Sequence, residues 1–221
     1  PLRITAWGVE CALRTGLHWL LWPKGSGGKQ SLFGSHQWDD GGPGACLVFN
    51  MSKLNADVCS IAEYQKMSMF LMERATDDEI TQRRGIAVIA DFKGVTMAEL
   101  LSILSFDDVR RGVLLWKGAF PCRLRRIWVV NAPPGIQSLA TAVVQLLQPK
   151  IRQRVKILPR GEGMEDLIDD LGEIFELPSS LGGSGEVPWE QIVYDSYLSK
   201  EDKVTPSTQP EAGAGTVASP A

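Results

Sequence analysis

The stretch GIAVIADFKG, residues 85–94, decides the fold. Its five consecutive apolar residues, Ile86 to Ala90, do not alternate with polar ones, so a strand here is expected to be buried on both faces, as in a parallel sheet covered by helices. Upstream lie an expected strand at Ala45 to Asn50 and a helical segment over about Asp57 to Arg83, with a break near Asp77 and Asp78. Downstream, Met97 to Leu104 and Asp107 to Lys117 read as helices, the second favoured by the acidic pair Asp107 and Asp108 at its start. A third strand, Leu124 to Asn131, ends at Pro133 and Pro134. The order strand, helix, strand, helix, strand implies right-handed crossovers and an α/β fold with helices over a mainly parallel sheet.

After the prolines, Gln137 to Gln148 (QSLATAVVQLLQ) reads as a helix whose polar residues Thr141, Gln145 and Gln148 form one narrow stripe. The remaining apolar surface exceeds what one packed face needs. Two readings follow: a fully buried core helix, or a lid with an inner apolar side and an outer side free to meet a membrane. Next come a basic strand, Arg154 to Leu158, an acidic amphipathic helix, Met164 to Leu171, a rigid loop LPSSLGG, Leu177 to Gly183, and a last helix at Pro188 to Leu198. Residues 1–44, rich in Trp and with a Gly-rich stretch, GSGGKQSLFGSHQWDDGGPG, that supports no regular element, form an irregular, poorly folded lead, and 200–221 a disordered tail, leaving 45–199 as the folded domain.

At 221 residues and 44% hydrophobic composition, one α/β domain with a large core is the default. The longest apolar patch, Leu17 to Trp22, is far shorter than the roughly 20 residues of a membrane span, and Arg3, Glu10 and Arg14 break the layout of a secretory signal. Cys11, Cys46, Cys59 and Cys122 show no CxxC spacing and read as separate reduced thiols, which suits the cytoplasm. With only His18 and His36, neither a histidine metal centre nor a Ser/His/Asp triad is expected, and Asp91 at a strand end reads as a loop-capping residue. No catalytic residue, metal or cofactor is assigned.

The net charge of −3 conceals a segregation. Between Val109 and Gly161 there are eleven basic residues and no acidic one; between Glu162 and Ser199 there are ten acidic residues and no basic one. Either the blocks cancel across the fold, or one cationic region faces an anionic partner. Phospholipid suits that partner better than nucleic acid, because the basic residues do not alternate with exposed aromatics and no recognition-helix or RNP-type pattern occurs.

From about residue 45 to 195 the chain resembles the CRAL-TRIO lipid-transfer family, in the branch of cellular retinaldehyde-binding protein, alpha-tocopherol transfer protein and the clavesins. The resemblance is carried by LVFNM (Leu47 to Met51), TQRRGIAVIADFKGVTM (Thr81 to Met97), FPCRLRRIWVVNAP (Phe120 to Pro133), LLQPKIRQRVKI (Leu146 to Ile157) and LPSSLGG. It implies a five- or six-stranded, mostly parallel sheet forming the floor of a lipid cavity closed by a gate helix, with Leu139, Val143, Leu146 and Leu147 on the gate. Ile86, Val88, Ala90, Leu101, Leu115, Trp116, Phe120, Leu124 and Ile127 are the implied cavity lining. Arg123, Arg125, Lys150 and Arg154 match the family's basic cleft for phosphatidylinositol bisphosphates. The family's N-terminal helical bundle has no recognisable counterpart in 1–44, Leu181 replaces an aromatic residue, and Ala90 and Ala98 stand where the retinaldehyde binder has polar side chains.

The expected function is therefore binding of one hydrophobic small molecule, retinoid-, tocopherol- or isoprenoid-like, and its transfer between membranes by a monomer. The protein would be cytoplasmic and peripherally associated with membranes, endosomal ones among them. The alternatives are a phosphoinositide-binding adaptor or trafficking module without transfer, and a truncated inactive form.

Overall fold

The computed structural model describes residues 18–21, 42–57, 60–118, 123–172 and 174–184, with the backbone path alone for 18–21, 74 and 115–118. Five strands lie side by side in chain order: β1 (His18–Leu21), β2 (Ala45–Asn50), β3 (Ile86–Asp91), β4 (Leu124–Ala132) and β5 (Val155–Pro159). β2 to β5 are parallel, and β1 pairs antiparallel on the outer edge of β2. Between β2 and β3 run α1 (Ile61–Thr76) and α2 (Glu79–Arg84); between β3 and β4, α3 (Met97–Ile103) and α4 (Phe106–Gly118); between β4 and β5, α5 (Pro134–Leu146) and α6 (Pro149–Arg152). A sequential strand order built from crossovers of one hand brings their helices to one face.

The other face is covered by the chain after β5. That segment contains α7 (Met164–Leu167), a π-helical turn over Ile168–Gly172 and a 3₁₀ turn at Ser179–Leu181. β2 shows the two-sided burial. Ala45, Leu47 and Phe49 pack with Met67, Leu71, Met72 and Ala75 of α1, whereas Cys46 and Val48 pack in the cluster of Leu167, Leu171, Phe175 and Leu181. All five of these β2 residues are buried, which is why the strand carries no polar alternation.

The expected break in the first helix falls where Asp78 caps α2, its carboxylate accepting the Thr81 N–H at 2.7 Å. Gly85 then closes α2 with φ +81, and a Cβ there would lie 2.0 Å from the Arg123 carbonyl oxygen. Only glycine combines that conformation with so close a passage to β4. Asp91 caps the loop after β3: it accepts Lys93 N–H at 2.9 Å and Asn131 Nδ2 at 2.8 Å. The LPSSLGG loop requires glycine at both of its last two positions. Gly182 has φ +80, and Gly183 passes so near the Leu177 carbonyl that a Cβ would be 2.0 Å away.

Four expectations need correction. The sheet extends beyond the expected domain start at 45, into the lead read as irregular, through β1. The helix after β4 begins at Pro134 rather than Gln137, because proline is well suited to the first helical position, and it ends at Leu146 because Gln148 precedes Pro149 and is extended. The basic strand starts at Val155, one residue after Arg154. Only four residues of the acidic Met164 to Leu171 segment are α-helical, and its Asp170 is fully buried instead of solvated. The helix expected at Pro188 to Leu198 and the tail from 200 lie outside the described residues.

Candidate functional site: an apolar cavity beside a basic cleft

A cavity of about 300 Å³ lies between the sheet and its helical roof. Its floor is Phe49 of β2, Val88 and Ala90 of β3, and Leu124 and Ile127 of β4. The walls are Tyr64, Ser68 and Met69 of α1 and Val109, Gly112 and Val113 of α4. Val143 of α5, Leu147 just beyond it and Ile151 of α6 line a further side. The volume is at the lower end of small-molecule sites, and the lining is overwhelmingly apolar, which selects a guest with little to hydrogen-bond.

Polar atoms near the cavity are engaged with the protein. Ser68 Oγ donates to the Tyr64 carbonyl at 2.9 Å, and Gln65 Nε2 donates to the Asp108 carbonyl at 3.2 Å. Burial pushes the Tyr64 phenol up, so it stays neutral.

The floor depends on a bulge. Ile86 lies opposite Leu124 while Ala87 lies opposite Arg126, so Arg125 is an extra residue in β4. The inserted residue lets Leu124 and Ile127, three apart, both face the helices. It also separates two neighbouring arginines. Arg126 goes to the far face, where its Nε and Nη2 donate to Asp170 at 2.9 and 3.2 Å, and Trp128 Nε1 donates to the same carboxylate at 2.9 Å. Lys156 sits over the Trp128 ring, 4.5 Å from its centroid. The two charge blocks thus cancel where Arg126 meets Asp170.

Arg125 instead shares the N-terminal end of the sheet with Arg123 and Arg154. The Arg154 guanidinium is held below its ordinary value, first by partial burial and then by the charges of Arg123 and Arg125, so the three cations feel one another. Arg154 Nη1 donates to the Leu124 carbonyl, which ties the cluster to the cavity floor. Lys150 is exposed on α6, the short helix leading to Arg154.

Of the residues read as lining, Val88, Ala90, Leu124 and Ile127 face the cavity, as do Val143 and Leu147 of the gate set. Ile86 does not: it is 1% exposed and packed solidly against α1. Leu101 does not either, being 60% exposed, because the buried phase of α3 falls on its neighbour Leu100. Leu139 packs with Val95, Leu100 and Ile136, away from the cavity, and Leu146 is 52% exposed on the outer side of α5. The side chains of Leu115, Trp116 and Phe120 lie outside the described residues. Within α5 only Ile136 is fully buried, so a core helix enclosed on all sides is ruled out. The roof contributed by α1 and α4 was not foreseen, although Tyr64 and Ser68, and Val109 and Val113, sit at the i, i+4 spacing of a shared helical face.

Among the described residues no group of carboxylates, cysteines or histidines could hold a metal ion, and no helix is long and apolar enough to cross a membrane. A mainly parallel sheet and a helical roof thus flank a partly open, apolar hollow. Residues 28–183 match the CRAL/TRIO domain, and the chain belongs to that family.

Over 141 residues the chain is 30% identical to tyrosine-protein phosphatase non-receptor type 9 of Homo sapiens, covering 63% of this chain and 22% of the phosphatase. It is 26% identical over 154 residues to alpha-tocopherol transfer protein-like of Homo sapiens, covering 68% of this chain and 43% of that protein. The chain therefore spans less than half the length of these curated relatives. The crystal structure of Sfh5 shares the fold, with a TM-score of 0.56 at 11% identity, covering 89% of this chain and 69% of that one.

Proposed function

We propose that this protein holds one small hydrophobic lipid, retinoid-, tocopherol- or isoprenoid-like, and transfers it between membranes, docking through phosphatidylinositol bisphosphate. The observation that carries this reading is the adjacency of two features: an apolar hollow of about 300 Å³ lined by Val143 and Leu147 among others, and a cation cluster whose Arg154 is bonded to the cavity floor. Burying a guest of roughly 10 methylene equivalents at about 0.8 kcal/mol each favours the closed complex by roughly 8 kcal/mol before ordering costs. Four cations near an anionic surface at about 1 kcal/mol each give reversible attachment. No covalent chemistry is involved. The exposed Leu101, Phe106, Leu114 and Leu146 on α3, α4 and α5 are apolar side chains that suit a membrane-facing roof.

Native mass spectrometry of the purified protein, followed by lipid extraction, tests the reading. One extractable lipid per chain is expected, and a chain that stays empty after incubation with mixed lipid vesicles counts against it. Replacing Ala90 on the cavity floor by phenylalanine fills part of the hollow. Bound lipid is expected to fall roughly fivefold while the melting temperature is kept, since the added bulk enters open space rather than packed core. An unchanged lipid content in Ala90→Phe would place the guest elsewhere.

A second reading, a phosphoinositide-binding adaptor module without transfer, is favoured by the likeness to a phosphatase of which the matched segment is only 22%. It requires vesicle binding with no stoichiometric cargo.

A further inference from the structure

The main hollow has a smaller neighbour. A second hollow of about 140 Å³, nearly half the volume of the first, lies beyond the C-terminal ends of β2 and β3. Met51 and Leu54, in and just after the 3₁₀ turn Met51–Lys53 that follows β2, line both. The second is lined further by Ser52, Gly94, Val95, Glu99, Leu100 and Ile103. Its space is open at Gly94, where an added Cβ would meet nothing within 4 Å. In open α/β sheets the crevice outside the carboxyl ends of the strands is where ligands are usually held.

Met51 stands between the two. It packs with the cluster of Phe49 and Met67 and also with that of Val95, Leu100 and Ile136. Its polar contact is soft: Tyr64 Oη donates to Sδ at 3.8 Å, and a thioether is a weak acceptor. An unbranched side chain with three rotatable bonds turns aside at little cost for a chain threading past it.

The two hollows differ in chemistry. The first is almost wholly apolar, whereas the second carries the Ser52 hydroxyl and the Glu99 carboxylate, both on exposed residues. Ser52 Oγ donates to Asn50 Oδ1 at 2.7 Å, which leaves the hydroxyl oxygen to accept. Glu99 Oε2 accepts from the Thr96 hydroxyl at 2.7 Å and the Thr96 N–H at 2.8 Å, and these bonds hold its carboxyl below the ordinary value and therefore charged. An end group placed here is favoured as an uncharged donor and disfavoured as an anion.

We propose that one guest spans both hollows: a long-chain alcohol whose apolar length fills the main hollow and whose hydroxyl end passes Met51 to lie between Ser52 and Glu99. The proposal rests on the cargo reading above and names its chemical class, an alcohol rather than an acid. The added space lengthens the guest from roughly ten methylene equivalents to about fourteen.

Equilibrium dialysis of the full chain with radiolabelled octanol, decanol, tetradecanol and tetradecanoate tests it. At about fourfold per added methylene, the wild type is expected to bind tetradecanol on the order of a hundredfold more tightly than decanol. Ile103→Trp on α3 and Ser52→Trp on the turn after β2 each fill the second hollow. In both, that ratio is expected to fall below about fivefold while octanol binding stays within about twofold of wild type, since neither residue lines the main hollow. Glu99→Gln keeps the capping box of α3 without the charge, and is expected to tighten tetradecanoate about fivefold while leaving tetradecanol within about twofold.

A wild type that binds none of the four ligands overturns the cargo reading and the proposal together. Affinity that levels off at decanol leaves the cargo reading standing and removes the second hollow from the site. A length dependence that survives in both tryptophan variants does the same, and so do equal losses of octanol and tetradecanol in both, which would make the second hollow a support for the fold. A Glu99→Gln protein with the wild-type preference between alcohol and acid overturns the placement of the hydroxyl end.

Discussion

Asp170→Ala is expected to lower the stability of the domain by about 3 kcal/mol, the typical cost of removing one partner of a buried ion pair. Asp170 is fully buried on the π-helical turn, and its carboxylate takes both donors of Arg126 and the indole N–H of Trp128, itself buried at the centre of the sheet. Alanine deprives three N–H donors of their shared acceptor at once and opens a small void beside Trp128. The Arg126 side chain is 20% exposed, so water recovers part of the loss and the low end of the range applies. For a chain of this size the melting temperature is expected to drop by roughly 6–12 °C. Asp170→Asn separates charge from shape: it keeps one oxygen for the indole and should cost less. A melting temperature within about 2 °C of wild type for Asp170→Ala would show that the covering segment is held by its apolar contacts alone.

That pair also shows where the sequence stops being informative. The parallel sheet is legible because strands buried on both faces lose their polar positions, as at Ala45 to Phe49 and Ile86 to Ile89, and runs this short, with Gly44 and Gly85 before them, favour strands over buried helices. The incomplete burial of α5 is legible because the helix has more apolar surface than packing needs. Arg126 and Asp170 stand 44 residues apart, and each looks like one of many surface charges. Their meeting depends on the bulge at Arg125, which shifts the alternation of β4 by one residue and which no residue type announces. Leu101 fails for a related reason. In the seven-residue helix α3, Leu100 and Leu101 are equally apolar, and the capping box of Thr96 and Glu99 sets which of them turns inward. β1 is held by main-chain pairing to β2, a bond set that leaves no side-chain signature.

The cation cluster is the reverse case, since its members were readable as charges and the fold decides which of them act together. Parallel strands put all their N-terminal ends on one side, so Arg123 before β4 and Arg154 before β5 become neighbours although 31 residues separate them. Arg160, just after β5, is carried to the opposite end of the same sheet. Basic residues close in sequence, Arg154 and Arg160, are thereby divided between two surfaces.

This division supports a second prediction with a built-in control. Reversing Arg123 and Lys150 together to glutamate changes four units of charge at the proposed docking end. With about 1 kcal/mol per charge near an anionic surface, reduced by the Debye screening of physiological salt, the loss is about 3 kcal/mol, on the order of a hundredfold in affinity for vesicles containing phosphatidylinositol bisphosphate. Arg160→Glu alters net charge at the far end of the sheet and is expected to cost less than about threefold, because a charge more than a Debye length away is largely screened. Uptake of a hydrophobic guest from detergent solution by the double variant is expected to stay within about twofold of wild type, since Val88, Ala90 and Ile127 line the cavity and neither altered residue does. Vesicle co-sedimentation across a salt series reads all three quantities. Equal losses per charge for Arg160→Glu and for the double variant would reduce docking to nonspecific attraction, and loss of docking and uptake together would point to a domain that no longer folds.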